Sequence, residues 1–167
     1  MTLLASQKDF FEITGSSVQT DYAYFGKELE YAQFDELRPC IGQALYDELI
    51  LQTETDTLTT DNLFLLEHYV RRYLVMTAFA NSLSAIWIQT KAKGLQINSD
   101  DTSQSADSGQ AMKRQMEIQN KADKYKLLMN QYLSENKFKY PLFPSELCEG
   151  GCNKTRFQIF LGHQPRY

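Results

Sequence analysis

Apolar residues recur at every third or fourth position along most of the chain, which is the spacing of helices that bury one face. The first run begins near Asp21 and places acidic residues between the apolar positions Phe25, Leu29, Ala32 and Leu37. Pro39 has no amide hydrogen and disfavours helix at Arg38, so we expect this helix to end or kink there. A second helix should follow, with an apolar stripe formed by Ile41, Leu45 and Leu49.

Two long helices are predicted for the rest of the domain. Residues 52–60 are rich in threonine, which favours a loop. Thr60 or Asp61 should then cap a helix that runs to about Lys93. The centre of this helix, residues 74–88, is apolar or small at nearly every position. A helix that is apolar on all sides is buried on all sides, so we expect it at the centre of a bundle.

A polar loop separates this helix from the second long one. Gly94 should stop the first helix, residues 95–97 should be extended, and residues 98–109 offer no apolar anchor. The next helix is predicted from about Ser108 to Asn136. Its helically spaced stripe, which we interpret as core packing, is Met112, Met116, Gln119, Ala122, Tyr125, Met129 and Tyr132. The bases that lie mostly off this stripe are Lys113, Arg114, Lys121, Lys124 and Lys126.

Both ends of the chain are predicted to lie outside the bundle. We interpret residues 1–20 as an N-terminal arm, residues 21–137 as the helical bundle domain and residues 138–167 as an extended C-terminal arm. Residues 138–144 alternate aromatics with prolines, and residues 155–161 alternate enough to form a short strand. The predicted fold is therefore mainly α: a helical bundle with two long helices, an extended loop and a C-terminal extended or β tail.

The C-terminal arm is the candidate assembly interface. A lone strand needs an edge to pair with, in its own domain or in a neighbouring chain. An arm rich in aromatic residues likewise needs a surface that covers it. The residues that we expect to form this interface are Phe138, Tyr140, Leu142, Phe143, Phe157, Ile159 and Phe160.

Charge is unevenly distributed along the 167 residues, whose net charge is −4. Residues 1–60 hold eleven acids and three bases, a balance of −8, whereas residues 61–167 hold ten acids and fourteen bases, a balance of +4. The overall sign gives no electrostatic case for a nucleic-acid partner. The asymmetry fits either solvated helix faces or an acidic face on one subunit that meets a basic face on the next.

Compartment signals are few. No run of about eighteen apolar residues occurs, so no transmembrane helix is expected. The first residues lack a basic start followed by an apolar run, so no secretory signal is expected. Three cysteines without such a signal favour free thiols in a reducing cytoplasm.

Residues able to carry catalysis or hold a metal are sparse. The chain has two histidines, and no glycine-rich phosphate loop or serine elbow is present. Cys148, Cys152 and His163 have metal-like spacing, but three ligands are one fewer than a closed structural zinc site needs. A glycine-rich turn with two incidental thiols is the simpler interpretation. We therefore expect a protein that is not an enzyme and needs no cofactor.

The order of elements is distinctive around the proline. Ile41-Gly42 is followed by Leu45-Tyr46-Asp47-Glu48-Leu49, and a long helix rich in small residues comes next. Lys93-Gly94-Leu95-Gln96-Ile97, a polar loop and Ala111-Met112-Lys113-Arg114 then lead into the second long helix. This order, over about residues 20–144, resembles the head–tail connector (neck adaptor) proteins of tailed phages, especially those of gut Bacteroidetes and crAss-like phages.

The resemblance implies a structural virion protein in a ring of about twelve copies beneath the portal. Its expected partners are copies of itself, the portal protein and an adjacent neck or tail protein. No membrane and no specific nucleic-acid site are implied, although the genome would pass through the ring. The expected location is the neck of the virion, after a stay in the host cytoplasm before assembly.

A second function remains open from the residues alone. A cytosolic regulatory bundle could bind a partner helix or nucleic acid through its basic late helix. That hypothesis predicts salt-dependent binding that collapses when Lys121, Lys124 and Lys126 are neutralised.

Overall fold

The computed structural model describes residues 2–15, 22–91, 94–97 and 108–144, with side chains described for 2–15, 25–83 and 112–144. These residues form a mainly α fold with one small antiparallel sheet, and this confirms the predicted fold class. The helices are α1 Gln7–Thr14, α2 Tyr22–Tyr31, α3 Arg38–Ile41, α4 Gln43–Glu54, α5 Thr60–Leu65, α6 Arg71–Trp87 and α7 Ser108–Glu135. The strands are β1 Ile88–Lys91 and β2 Gly94–Ile97.

Both predicted long helices are present. The π-helical segment Leu66–Val70 joins α5 to α6, so that one continuous helix runs from Thr60 to Trp87. Its N-cap is Thr59, whose hydroxyl accepts a hydrogen bond from the amide of Asn62 at 3.2 Å. The cap therefore lies one residue before the predicted pair of candidates, and α7 ends one residue before the predicted end.

The core forms where α6 packs against α7, α2 and α1. Four residues of α6 that point to different sides of the helix, Leu74, Val75, Thr77 and Ala78, are fully buried. Ala80 and Ser82 are buried as well, and such small side chains let neighbouring helices approach closely. The helix predicted to be buried on all sides is therefore confirmed as the centre of the bundle over its described side chains. The residues that α7 contributes to the core are Ile118, Ala122, Met129 and Leu133.

The first long helix ends earlier than its predicted limit of Lys93. β1 follows α6 directly and pairs with β2 in an antiparallel register that sets Ile88 opposite Ile97 and Lys91 opposite Gly94. The extended piece predicted at residues 95–97 is therefore the second strand of a hairpin. Isoleucine and threonine favour a strand over a helix, and this preference explains why the helix stops before Ile88.

No helix in the described part of the chain is long and apolar enough to cross a membrane.

Pro39 lies inside a helical stretch rather than at its end. The π-helical segment Ala32–Leu37 links α2 to α3, and the amide of Arg38 donates to the carbonyl of Gln33, five residues back. This widened turn accommodates a residue that cannot donate to the preceding turn. The helix ends at Gly42, whose φ of 84° and ψ of 149° lie in a region essentially restricted to glycine.

The predicted N-terminal arm is corrected for its described residues, because they contain a helix. Ser6 and Asp9 form a capping box: the Ser6 hydroxyl accepts from the Asp9 amide at 3.3 Å, and the Asp9 carboxylate accepts from the Ser6 amide at 2.7 Å. Phe10 is buried against the rings of Phe25 and Phe79, with centroids 3.9 Å and 5.5 Å away. Residues 2–15 are thus part of the bundle rather than an appendage.

A buried amide fixes this N-terminal segment. Gln33 is fully buried, and its Nε2 donates to the carbonyl of Thr2 at 2.9 Å and to the Tyr46 hydroxyl at 3.2 Å. Its Oε1 accepts from the amide of Leu4 at 2.8 Å. Arg71 Nε adds a bond to the carbonyl of Leu4 at 3.2 Å. These bonds pair polar groups that would otherwise be costly to bury.

Candidate assembly surfaces

The segment after α7 turns back onto the bundle instead of extending away from it. Within residues 136–144, backbone bonds join the amide of Lys139 to the carbonyl of Asn136 and the amide of Phe143 to the carbonyl of Tyr140. These are turns, so the predicted extended conformation of residues 138–144 is corrected. Pro141 and Pro144 have no amide hydrogen, but the turns form because Lys139 and Phe143 donate these bonds.

This segment is held at the N-terminus of α5. The Tyr140 hydroxyl donates to the carbonyl of Asp61 at 2.7 Å and lies 3.5 Å from the Tyr132 hydroxyl. Lys139 Nζ lies 2.8 Å from Asp61 Oδ1. Desolvation raises the pKa of the Tyr140 phenol, and the bond to Tyr132 raises it further. The hydrogen bond to Asp61 raises the pKa of Lys139.

The structure divides the predicted interface residues of this segment into two pairs. Tyr140 and Phe143 are 1% and 5% exposed, which places them in the core of their own chain and corrects their assignment to an interface. Phe138 and Leu142 are 79% and 42% exposed, so they are available to a partner. The alternation arises because each turn directs successive apolar side chains to opposite sides. The remaining predicted interface residues, Phe157, Ile159 and Phe160, lie outside the described residues.

The outer face of α7 carries an apolar stripe that solvent reaches. Met112, Met116 and Leu127 are more than half exposed. At 3.6 residues per turn they project within an arc of about 60°, which also contains the exposed Asp123. The exposed bases Lys113 and Lys124 border this arc. Met112 and Met116 were predicted to pack in the core, and the structure corrects this, because Ile118 and Ala122 take the buried positions at this end of α7.

A second exposed surface lies where α3 meets α4. An open depression of about 360 Å3 is lined by Phe34, Asp35, Arg38, Pro39, Gly42 and Gln43. Phe34 is 46% exposed, and the Arg38 guanidinium lies 4.4 Å from the centre of its ring. Tyr31, one turn earlier, is 60% exposed. We call this surface, the lining residues together with Tyr31, the Phe34 depression.

The Phe34 depression lies in the acidic part of the chain. Residues 28–47 contain five acids and one base, a balance of −4. Asp35 lines the depression and is exposed, as is Glu30. Asp47, also exposed, accepts a hydrogen bond from the side chain of Gln43 at 2.6 Å. The widened turn before Pro39 and the unusual backbone of Gly42 shape this surface.

The cysteine and histidine candidates Cys148, Cys152 and His163 lie outside the described residues. Cys40 is buried, and its thiol lies 3.3 Å from Oδ1 of Asn130 on α7. No group of three or more histidine, cysteine, aspartate or glutamate residues that could hold a metal ion occurs among the described residues.

The sequence did not predict that two apolar surfaces, one at Phe34 and one at Met112 and Met116, would be exposed. Phe34 lies about 180° around a regular helix from the buried stripe of Phe25, Leu29 and Ala32, so helical spacing alone places it on the solvent side. Met112 and Met116 follow the helical spacing of the core stripe, but the neighbouring helices do not cover them. The bases beside these methionines were the one feature of the sequence that indicated an exposed face of α7, since charged residues border exposed rather than buried faces.

These surfaces belong to a mainly α helical bundle built on two long helices. The chain belongs to a protein family of unknown function, DUF6712, whose model matches residues 37–151. That match includes the segment from Pro39 to Leu49, the two strands β1 and β2, and all of α7. No curated protein and no solved structure matches the chain.

Proposed function

We propose that this protein is a structural, non-enzymatic subunit that assembles with copies of itself into a ring in the neck of a tailed phage, between the portal and the tail. The observation that carries the proposal is the placement of large apolar side chains on the outside of a bundle with a well-packed core. They lie on the outer face of α7, in the Phe34 depression and at Phe138 and Leu142. Exposed apolar side chains that lie side by side mark association sites, and Met112 with Met116 and Tyr31 with Phe34 are neighbours of this kind on their helices.

The opposite charges of the two halves support assembly of like subunits. Exposed bases outnumber exposed acids by four to three among the described side chains of α7, while Asp35 and Asp47 outnumber Arg38 at the Phe34 depression. Two different surfaces of one chain that complement each other form a heterologous contact, which closes into a ring when the rotation permits. Burial of a few hundred Å2 of apolar surface per contact would contribute on the order of several kcal/mol before ordering costs.

The resemblance to neck adaptors supplies the biological setting of the proposal. In that setting the ring contacts the portal protein on one side and another neck or tail protein on the other. The anchored segment 136–144 fixes the position of the last described residues before the C-terminal tail. Phe157, Ile159 and Phe160 remain the candidate contacts of that tail with a neighbour.

Deletion of residues 155–167 tests the role of the tail. We expect unchanged helical circular dichroism and a lower assembled mass by light scattering. A full-length variant with Phe157, Ile159 and Phe160 changed to serine should behave like the deletion, whereas Gln158→Ser should behave like the wild type. Loss of helical signal in the deletion would show instead that the tail belongs to the core.

A regulatory bundle that binds nucleic acid is the second candidate, and the exposure of Lys113, Lys121 and Lys124 on α7 favours it. Lys126 is partly buried, 6.0 Å from the centre of the Tyr73 ring, so it contributes less to a basic face. This candidate predicts DNA or RNA binding that weakens steeply with salt and is lost when Lys121 and Lys124 are neutralised. The ring proposal predicts little affinity of the isolated subunit for nucleic acid.

A further inference from the structure

We infer that the subunits join head to tail, with the outer face of α7 of one copy seated in the Phe34 depression of the next. This inference rests on the proposed self-assembly and names the two surfaces that carry it. Both consist of described residues, and both are exposed in the single chain. The occupant of the depression is a second copy of this chain.

Shape favours this pairing. The α7 stripe, which we call the ridge, consists of Met112, Met116 and Leu127 on one side of a 28-residue helix, with Asp123 between Met116 and Leu127. The Phe34 depression is concave and open, with Pro39 and the ring of Phe34 in its lining. An amphipathic helix whose apolar face lies in a shallow apolar groove is a recurring mode of protein association. Methionine suits such a contact because its side chain adapts to irregular surfaces.

Charge favours the same pairing. Lys113 and Lys124 lie beside the ridge and Asp123 lies within it, while Asp35, Asp47 and Arg38 lie at the depression. Seating the ridge brings opposite charges to the rim of the contact, where they select the partner and its orientation. The charges sum to +1 at the ridge (two bases, one acid) and −1 at the depression (two acids, one base), so each surface attracts the other more than a copy of itself. The arrangement therefore disfavours a symmetric pair and favours a heterologous contact that repeats from copy to copy.

The size of the contact fits a ring. The apolar side chains involved offer only a few hundred Å2 of exposed surface, which is small for a lone stable pair. Closure of a ring gives every copy two contacts at once, so that individually weak contacts hold together. We therefore expect the assembly to be strongly concentration-dependent and to lack a long-lived dimer.

Complementation between two charge-reversed full-length variants tests the inference. One variant carries Asp35→Lys and Asp47→Lys, and the other carries Lys113→Glu and Lys124→Glu. Each alone should lose assembly, with the midpoint concentration of the assembled species raised about tenfold or more, because like charges then meet at the rim. An equal mixture should recover assembly, since the reversed surfaces complement each other and the unchanged surfaces still pair.

Matched controls separate this contact from a general charge effect. Glu67→Lys and Lys8→Glu reverse exposed charges away from both surfaces and should leave assembly unchanged. Met116→Asp should disrupt assembly, whereas Leu51→Asp, at a similarly exposed site on α4, should not. Circular dichroism of every variant verifies that the bundle is folded.

The possible results separate the head-to-tail contact from self-assembly as such. A wild-type protein that assembles, with variants that assemble equally well or fail to complement, overturns the head-to-tail contact and leaves self-assembly intact. A wild-type protein that stays a single copy at every concentration overturns both. Recovery in the mixture, together with silent controls, supports the contact as described.

Discussion

The two segments that flank the bundle are attached to it in different ways. The segment Thr2–Thr14 inserts a phenylalanine into the core and is tied by the buried amide of Gln33. The segment 136–144 is held by two buried aromatic residues, Tyr140 and Phe143, and by an ion pair that solvent reaches, and it leaves Phe138 and Leu142 outside. The first segment is therefore part of the fold, whereas the second forms the boundary between the fold and the surfaces left for partners.

The largest difference should appear when the same substitution is made in the two segments. Phe10→Ala removes a buried ring, and we expect it to lower the free energy of unfolding by about 3–5 kcal/mol. Phe138→Ala removes an exposed ring and should change that free energy by less than about 0.5 kcal/mol. Denaturant titration of both variants measures the contrast. Equal losses would show that the two segments are attached alike.

The buried amide comes next in expected effect. Gln33→Leu leaves the amide of Leu4 and the carbonyl of Thr2 without their side-chain partner. Because each orphaned buried group costs about 1–3 kcal/mol, we expect a loss of about 2–4 kcal/mol in unfolding free energy. Hydrogen exchange should show faster exchange at Leu4. Gln131→Leu, which removes an exposed bond to Glu135, is the matched control and should have little effect.

A smaller effect is expected at the tyrosine that holds the second segment. Tyr140→Phe keeps the ring and removes the bond to the carbonyl of Asp61, so we expect a loss of about 1–2 kcal/mol in unfolding free energy. Thermal unfolding followed by circular dichroism measures it. A variant as stable as the wild type would indicate that water replaces the lost bond without cost.

The same phenol should make stability depend on pH in alkali. Its pKa is raised in the folded chain above the ordinary value of 10.0, so its contribution is complete below that pH and is lost as pH rises further. We therefore expect unfolding free energy to fall above about pH 10, and to fall less in Tyr140→Phe. Denaturant titrations on both sides of that pH give the slopes. Identical slopes in the two proteins would rule out Tyr140 as the source.

The smallest effect is expected at the ion pair. Lys139 and Asp61 are partly exposed, and pairs of this kind contribute little because water and salt screen them. Lys139→Ala should therefore change thermal stability less than Tyr140→Phe does, and the difference from the wild type should shrink as salt is added. A large effect that salt does not reduce would place this pair among the main anchors of the segment.

The sequence was informative where structure depends on local periodicity. Helical spacing predicted α7 to within a residue at its end, and the small residues of α6 predicted its central position. The capping box of Ser6 and Asp9 was a local signal for α1 that the interpretation as an arm overlooked. These elements are determined by neighbours within a few turns, so pattern alone can locate them.

The parts that sequence did not predict depend on distant contacts. Tyr140 bonds to Asp61, which lies 79 positions earlier, and Leu4 bonds to Gln33 across 29 positions. Which aromatic of the segment after α7 turns inward depends on such partners, and hydrophobicity does not distinguish them.

Sedimentation velocity of the full-length protein over a wide range of concentrations, with electron microscopy of the most concentrated sample, tests the central claim most directly. The proposed assembly predicts a transition from single copies to one closed species of defined size, visible as rings. A chain that sediments as a single copy throughout, with no rings in the images, would contradict it.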